Sequence, residues 1–240
     1  MSWAENEPQG MDALPRHHIR LVIFDFDDTL AKTAIDFPGV KLQLAGELAR
    51  LGLALPGDAR KEPLAWLIER AAAFPEVQAA MWHKVEEAEL AGLARMEWSP
   101  GALTTARWLR TAGYAVAILT NNGGAAVRRK LRDEGVEQLF DVVWGREDVP
   151  ETKPRPGGLM ALLRRFFTDA GEAVLVGDSS HDEAAAKAAG IHYIHYGDGG
   201  DDGGDGGGDG GGETERLSVS TLDMLPQLIA TLSSYEGGES

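Results

Sequence analysis

The chain has 240 residues, 43% of them hydrophobic, enough for one substantial core or a core plus a small accessory domain. Its formal charge of -15 (38 acidic residues against 23 basic) works against binding to phosphate backbones, so no nucleic-acid partner is expected, and any anionic substrate needs positive charge concentrated locally. With no cysteine, disulfides, thiolate catalysis and zinc–thiolate sites are excluded.

Residues 1–18 mix acids and prolines without the pattern of a signal or transit peptide, and are expected to form a flexible tail. No apolar run nears the ~20 residues that span a bilayer, so a soluble, cytoplasmic protein is expected. The run IRLVIFDF at residues 19–26 reads as a buried first strand. Similar runs at 114–119, 140–144, 173–176 and 191–196 give four more. Helical spacing lies between them: Leu103, Ala106 and Leu109 after Pro100-Gly101, then 126–131, 159–166 and 182–189. Strands alternating with helices imply an α/β fold, a Rossmann-like parallel sheet covered on both faces.

One connection breaks that rhythm, since about 70 residues separate the first strand from the helix near Gly101. Apolar spacing at Leu44, Leu48 and Leu51, at Leu64, Leu67, Ile68 and Ala71, and more weakly from Val77 to Leu93 predicts a helical domain over residues 32–98, inserted into a core of residues 19–31 and 99–196. Residues 197–212 are Gly and Asp alone and predict a flexible acidic loop. Calcium-binding Gly-Asp repeats carry an apolar residue in each period, which is missing here. Residues 213–240 return to the core through an amphipathic helix at 221–232, kinked or started near Pro226.

Chemistry-bearing residues gather where strands end. VIFDFDDTL places Asp25 and Asp27 two residues apart, on one side of an extended chain, and two such carboxylates are costly without a cation. The plain alternative is a turn in which Asp28 and Thr29 cap the next element. Thr120, in ILTNN, could hold an anion or could be a helix N-cap before Gly123 and Gly124. Lys153, in ETKPRPGG, would in isolation be a solvated loop lysine. GDSSHD adds Asp178 and Asp182, the latter open to reading as a helix cap.

These four segments resemble, in order and at plausible spacing, the four motifs of the haloacid dehalogenase superfamily, over residues 21–196. Pro100-Gly101, AAAKAAG after Asp182 and a helical insert between the first two motifs resemble its phosphoglycolate phosphatase-like branch. The resemblance implies that Asp25 is a covalent nucleophile and Asp27 a general acid/base. Mg²⁺ would be held by Asp25, the Asp27 carbonyl and Asp178, with Asp182 at or just outside the ligand shell, orienting water at the metal or Lys153. Thr120, the Asn121 backbone N–H and Lys153 would bind the phosphate. The implied activity is Mg²⁺-dependent hydrolysis of a small phosphate monoester through an aspartyl-phosphate, phosphoglycolate being the first candidate. An acid two residues after the nucleophile favours phosphate transfer, because released halide needs no proton. Asp28 stands where many relatives have Gly, and is tolerated if its φ stays negative.

A sugar-phosphate mutase would share all these residues. A phospho-accepting receiver orders its acidic pair before the acceptor and its lysine last, unlike this chain. A non-catalytic binding protein would not need all the polar positions. The partner expected is a small phosphorylated metabolite, with specificity set in the insert, where Lys41, Arg60, Lys61, Trp66, Arg70, His83, Lys84 and Arg95 are candidate contacts.

Overall fold

In a computed structural model, residues 19–197 and 217–235 are described, with side chains to 232. The expectations for residues 1–18 and for the Gly/Asp segment from 198 onward lie outside them. Six strands form one parallel sheet: β1 (Leu21–Phe24), β4 (Ala115–Leu119), β5 (Val142–Trp144), β6 (Ala173–Gly177), β7 (His192–Tyr196) and β8 (Ser218–Val219), in the order β5-β4-β1-β6-β7-β8. Five of these coincide with the apolar runs. The two-residue β8 is too short to leave a periodic signal.

Alternation along the strands sorts the side chains into two cores. Val22, Phe24, Val116, Ile118, Val174 and Val176 face one cluster, covered by α4 (Ala102–Thr111), α5 (Gly124–Asp133) and α8 (Leu225–Tyr235). Leu21, Ile23, Ala117, Leu119, Ala173 and Leu175 face the other, under α6 (Gly157–Phe166) and α7 (Ser180–Ala189). Helix α8 starts at Leu225 with Pro226 in its first turn, where a missing N–H costs nothing.

From β1 the chain passes to β4 on one side, and from β5 it returns to β6 on the other. The sheet direction therefore switches at β1, and the carboxyl ends of β4, β1 and β6 border a crevice where open α/β sheets bind ligands.

The long connection holds α1 (Phe37–Arg50), α2 (Leu64–Glu69) and α3 (Pro75–Leu93), packed around Leu44, Leu48, Leu67, Ile68, Met81 and Val85, a third cluster separate from the sheet's two. Asp36 caps α1 by accepting the N–H of Gly39 at 2.9 Å. The insert leaves and rejoins the core through an antiparallel ribbon, β2 (Ala31–Lys32) against β3 (Glu97–Trp98). Among the described residues, no helix is long and apolar enough to cross a membrane.

Candidate active site

The site forms where three adjacent parallel strands stop. Asp25 follows β1, and its N–H binds the carbonyl of Val176 at 2.9 Å, so the sheet's last rung fixes its backbone. Lys153, from the loop before α6, is 5% exposed and places Nζ 2.5 Å from Oδ1 of Asp25 and 2.5 Å from Oδ1 of Asp182. The solvated-lysine reading thus fails: this ammonium is buried between two carboxylates from different strand ends. Asn121 clamps its backbone, with Oδ1 accepting the Lys153 N–H at 3.0 Å and Nδ2 donating to the Lys153 carbonyl at 2.9 Å.

Asp182 is fully buried in the first turn of α7, and the cap itself is Ser179, whose side chain accepts the Asp182 N–H. The second Asp182 oxygen accepts both the N–H and the hydroxyl of Ser179. Serine and aspartate three apart is capping-box spacing, and here it also locks the carboxylate that steadies Lys153. Gly177 is required beneath it: a Cβ there would lie 2.5 Å from Asp182 Cγ.

Thr120 is buried, and its N–H binds the Trp144 carbonyl at 3.0 Å. It is not the helix cap, since Gly123 occupies that position; its Oγ1 instead accepts the Asn122 N–H at 3.1 Å. The hydroxyl hydrogen is left to donate elsewhere.

Asp25, Asp178 and Asp182 each offer an oxygen, all within 4.8 Å of one another. Asp178 receives the buried Thr29 hydroxyl at 3.0 Å. Both Asp182 oxygens are engaged, whereas the second oxygen of Asp25 has no donor among the described residues. Three carboxylates against one ammonium leave surplus negative charge at a partly buried, all-oxygen cluster, which fits a hard divalent cation held mainly by Asp25 and Asp178. The backbone bonds that close the Asp25–Ala31 turn use the carbonyls of Phe26 and Ala31, leaving that of Asp27 uncommitted to the turn.

The Asp27 side chain goes elsewhere, accepting from the hydroxyl of Thr33 and the amide of Asn122. Asp28 corrects an expectation: its φ is +54°, in the left-handed region. An aspartate tolerates that region better than most residues, so the strain is modest. Asn122, Thr33 and Ser179 were not singled out from the sequence: Asn122 and Thr33 are single polar residues with no period, whereas the three-residue spacing of Ser179 and Asp182 is a capping signal that could have found Ser179. Thr29, expected only as a cap, instead donates to Asp178. Insert residues proposed as substrate contacts find other partners: Lys41 binds the Arg60 carbonyl, Arg60 pairs with Asp58, Arg70 lies over Trp66, His83 faces Glu87, Lys84 faces Glu47, and Arg95 binds the Ala34 carbonyl.

Burial raises the Asp27 carboxyl from 3.8 to about 6, with Thr33 the largest opposing influence, and burial does the same to Asp178 against the Thr29 hydroxyl. Burial also pushes Asp25 well up, opposed chiefly by Lys153. For Lys153 burial acts downward, but Asp25 and Asp182 outweigh it and hold the ammonium at about 12. A carboxyl raised in the folded state stabilises below its unfolded value and loses that contribution as pH climbs through the folded one, here between 3.8 and about 6 for Asp27 and Asp178. Metal-free protein should therefore lose thermal stability across that window, and added Mg²⁺, which needs the ionised forms, should restore it only toward the upper end. Melting curves in EDTA and in Mg²⁺ across pH check this; a Mg²⁺ effect independent of pH would contradict it.

The protein-family model for haloacid dehalogenase-like hydrolases matches residues 61–196, more than half of the chain, including Thr120, Lys153, Asp178 and Asp182. Among curated proteins, phosphoglycolate phosphatase 1 of Pseudomonas aeruginosa is 29% identical over 195 residues, covering 77% of this chain and 70% of the relative. Among solved structures, a HAD phosphatase from Thermococcus onnurineus is 26% identical with TM-score 0.59, covering 88% of this chain and 98% of that one. CbbY from Rhodobacter sphaeroides, in complex with phosphate, shares the fold at TM-score 0.62 and 24% identity, covering 86% and 96%. A switched parallel sheet ending in these carboxylates and a buried lysine, together with these matches, shows that the chain belongs to the haloacid dehalogenase-like hydrolases and is a phosphoric monoester hydrolase of that family.

Proposed function

We propose that the protein is a Mg²⁺-dependent phosphatase that hydrolyses a small phosphate monoester through an aspartyl-phosphate at Asp25, with phosphoglycolate the first candidate substrate. The observation that carries this reading is the Lys153 ammonium held 2.5 Å from both Asp25 and Asp182 at the crevice of the sheet. The name of the Pseudomonas relative supports the choice of substrate. We assign residues 32–98 as a cap over a core of residues 19–31 and 99–196, with 213–240 completing it.

An oxygen of Asp25 attacks phosphorus as the ester oxygen leaves, and Asp27 gives that oxygen a proton. Asp27 then takes a proton from the water that attacks the acyl phosphate, which returns Asp25 as a carboxylate and releases inorganic phosphate. Lys153 has three N–H donors; two go to Asp25 and Asp182, and the third, with the Thr120 hydroxyl and the Asn121 N–H, binds the transferring oxygens. Asp182 keeps Lys153 aimed and charged. Asp25, Asp178 and the Asp27 carbonyl would hold Mg²⁺, which would supply the charge neutralisation that lets the anionic nucleophile and the phosphate meet.

Phosphate release from phosphoglycolate and a panel of small esters, measured with Mg²⁺ and with EDTA, tests the reading. Mg²⁺-dependent release with a preferred small ester is expected. Activity that survives exhaustive chelation rejects the metal assignment, and isomerisation of a sugar bisphosphate without net phosphate release points to a mutase instead.

A further inference from the structure

Helix α3 carries a buried stripe at Met81, Val85, Glu89, Gly92 and Leu93, in which Glu89 is a carboxylate at an apolar position and only 1% exposed. It faces out of the insert and into the core. Both its oxygens receive the Arg146 guanidinium, one of them at 3.0 Å, and Oε2 also accepts the Gly123 N–H at 3.2 Å. Arg146 lies 4.8 Å from the ring centroid of Trp82 on the same helix. Its own N–H binds the carbonyl of Asn122 at 3.0 Å. Asn122 is 3% exposed, and its side-chain amide donates to Asp27.

Burying the Glu89 carboxylate against a partly exposed arginine costs desolvation that hydrophobic packing would avoid, so its presence here calls for a role other than stability. The contacts supply one. The peptide unit joining Asn122 to Gly123 is held at both its polar groups, its carbonyl by the Arg146 N–H and its N–H by the Glu89 carboxylate, the two members of one pair whose carboxylate belongs to the insert. The Asn122 amide in turn fixes one oxygen of Asp27, while Thr33 fixes the other. Each carboxyl oxygen can accept twice, so a proton for transfer still has a place.

We propose that Asn122 is a positioning residue for Asp27 and that the Glu89–Arg146 pair transmits the docking of α3 to it, so that proton transfer is efficient only when the helical insert sits on the core. This rests on the assignment of Asp27 as general acid/base. Neither Glu89 nor Arg146 need touch the phosphate for the device to work.

The test compares phosphoglycolate, whose alkoxide must be protonated on leaving, with 4-nitrophenyl phosphate, whose phenolate leaves without a proton. Asn122→Ala is expected to lower kcat on phosphoglycolate about 10- to 100-fold, with KM changed less than about 3-fold and single-turnover nitrophenolate release nearly unchanged. Glu89→Gln, which keeps the shape of the side chain, should act in the same direction more weakly. Combined with Asn122→Ala it should add nothing further, because both act through one route. Should Asn122→Ala fail to fold, Asn122→Ser carries the same comparison. Equal losses on both substrates, a change confined to KM, or additive effects overturn the proposal. Asp27→Asn separates the two levels: if it retains alkyl-ester hydrolysis, the acid/base assignment itself is wrong, whereas if it loses that activity while Asn122→Ala keeps it, only the positioning role is.

Discussion

Asp25→Asn is expected to remove turnover of every phosphate ester, by about 1,000-fold or more, because an amide oxygen is too weak a nucleophile to form the acyl phosphate. The variant should nonetheless fold. Burial already disfavours the ionised Asp25, and Asp182 and Asp27 add repulsion, so a neutral group of the same shape relieves cost in the metal-free protein. Its melting temperature in EDTA should equal or exceed that of wild type, while the stabilisation by Mg²⁺ should shrink with the loss of a ligand. Acid-quench experiments with labelled substrate should trap phosphoryl-protein from wild type and none from the variant. Turnover comparable to wild type would remove Asp25 from the mechanism.

Lys153→Met should show the opposite balance, losing activity and stability together. The lysine is buried against Asp25 and Asp182, and removing one member of a buried ionic cluster leaves uncompensated charge, at a cost of about 3–5 kcal/mol. The penalty should ease at acid pH, where one carboxylate takes up a proton, and in Mg²⁺, which replaces part of the missing positive charge. Activity should fall about 100- to 1,000-fold, the scale of losing a donor to a developing anion. Chemical unfolding with and without Mg²⁺, alongside kcat, separates the two effects. A fully stable variant that is merely slow would mean that Lys153 contributes to catalysis alone.

The parallel sheet was legible because its strands are buried on both faces and read as short continuous apolar runs. The motif residues were legible because each follows such a run, and the strand's carboxyl end is where a parallel sheet presents its side chains to a ligand. The capping reading of Thr120 was excluded only in three dimensions: Gly123 caps the helix, so the threonine hydroxyl is released from capping. Asp28 went the other way. Its sequence position alone suggested ordinary backbone, and the tight return of the chain from Phe26 to Ala31 forces positive φ.

Helix α3 shows why the insert was the least readable part. Its inner stripe serves the insert's own core at Met81 and Val85, then turns to the sheet domain at Glu89 and Leu93, so a charged residue interrupts the apolar period where the helix changes partner. The sequence by itself determined the strand–helix alternation, the acidic balance and the residue types at the strand ends, since these follow from local periodicity and spacing. Tertiary structure alone decided that Lys153 bridges Asp25 and Asp182 and that Glu89 reaches across to the loop holding Asn122. Those contacts join residues far apart in the chain, and the free energy that selects them comes from desolvating charges together, which no local pattern records.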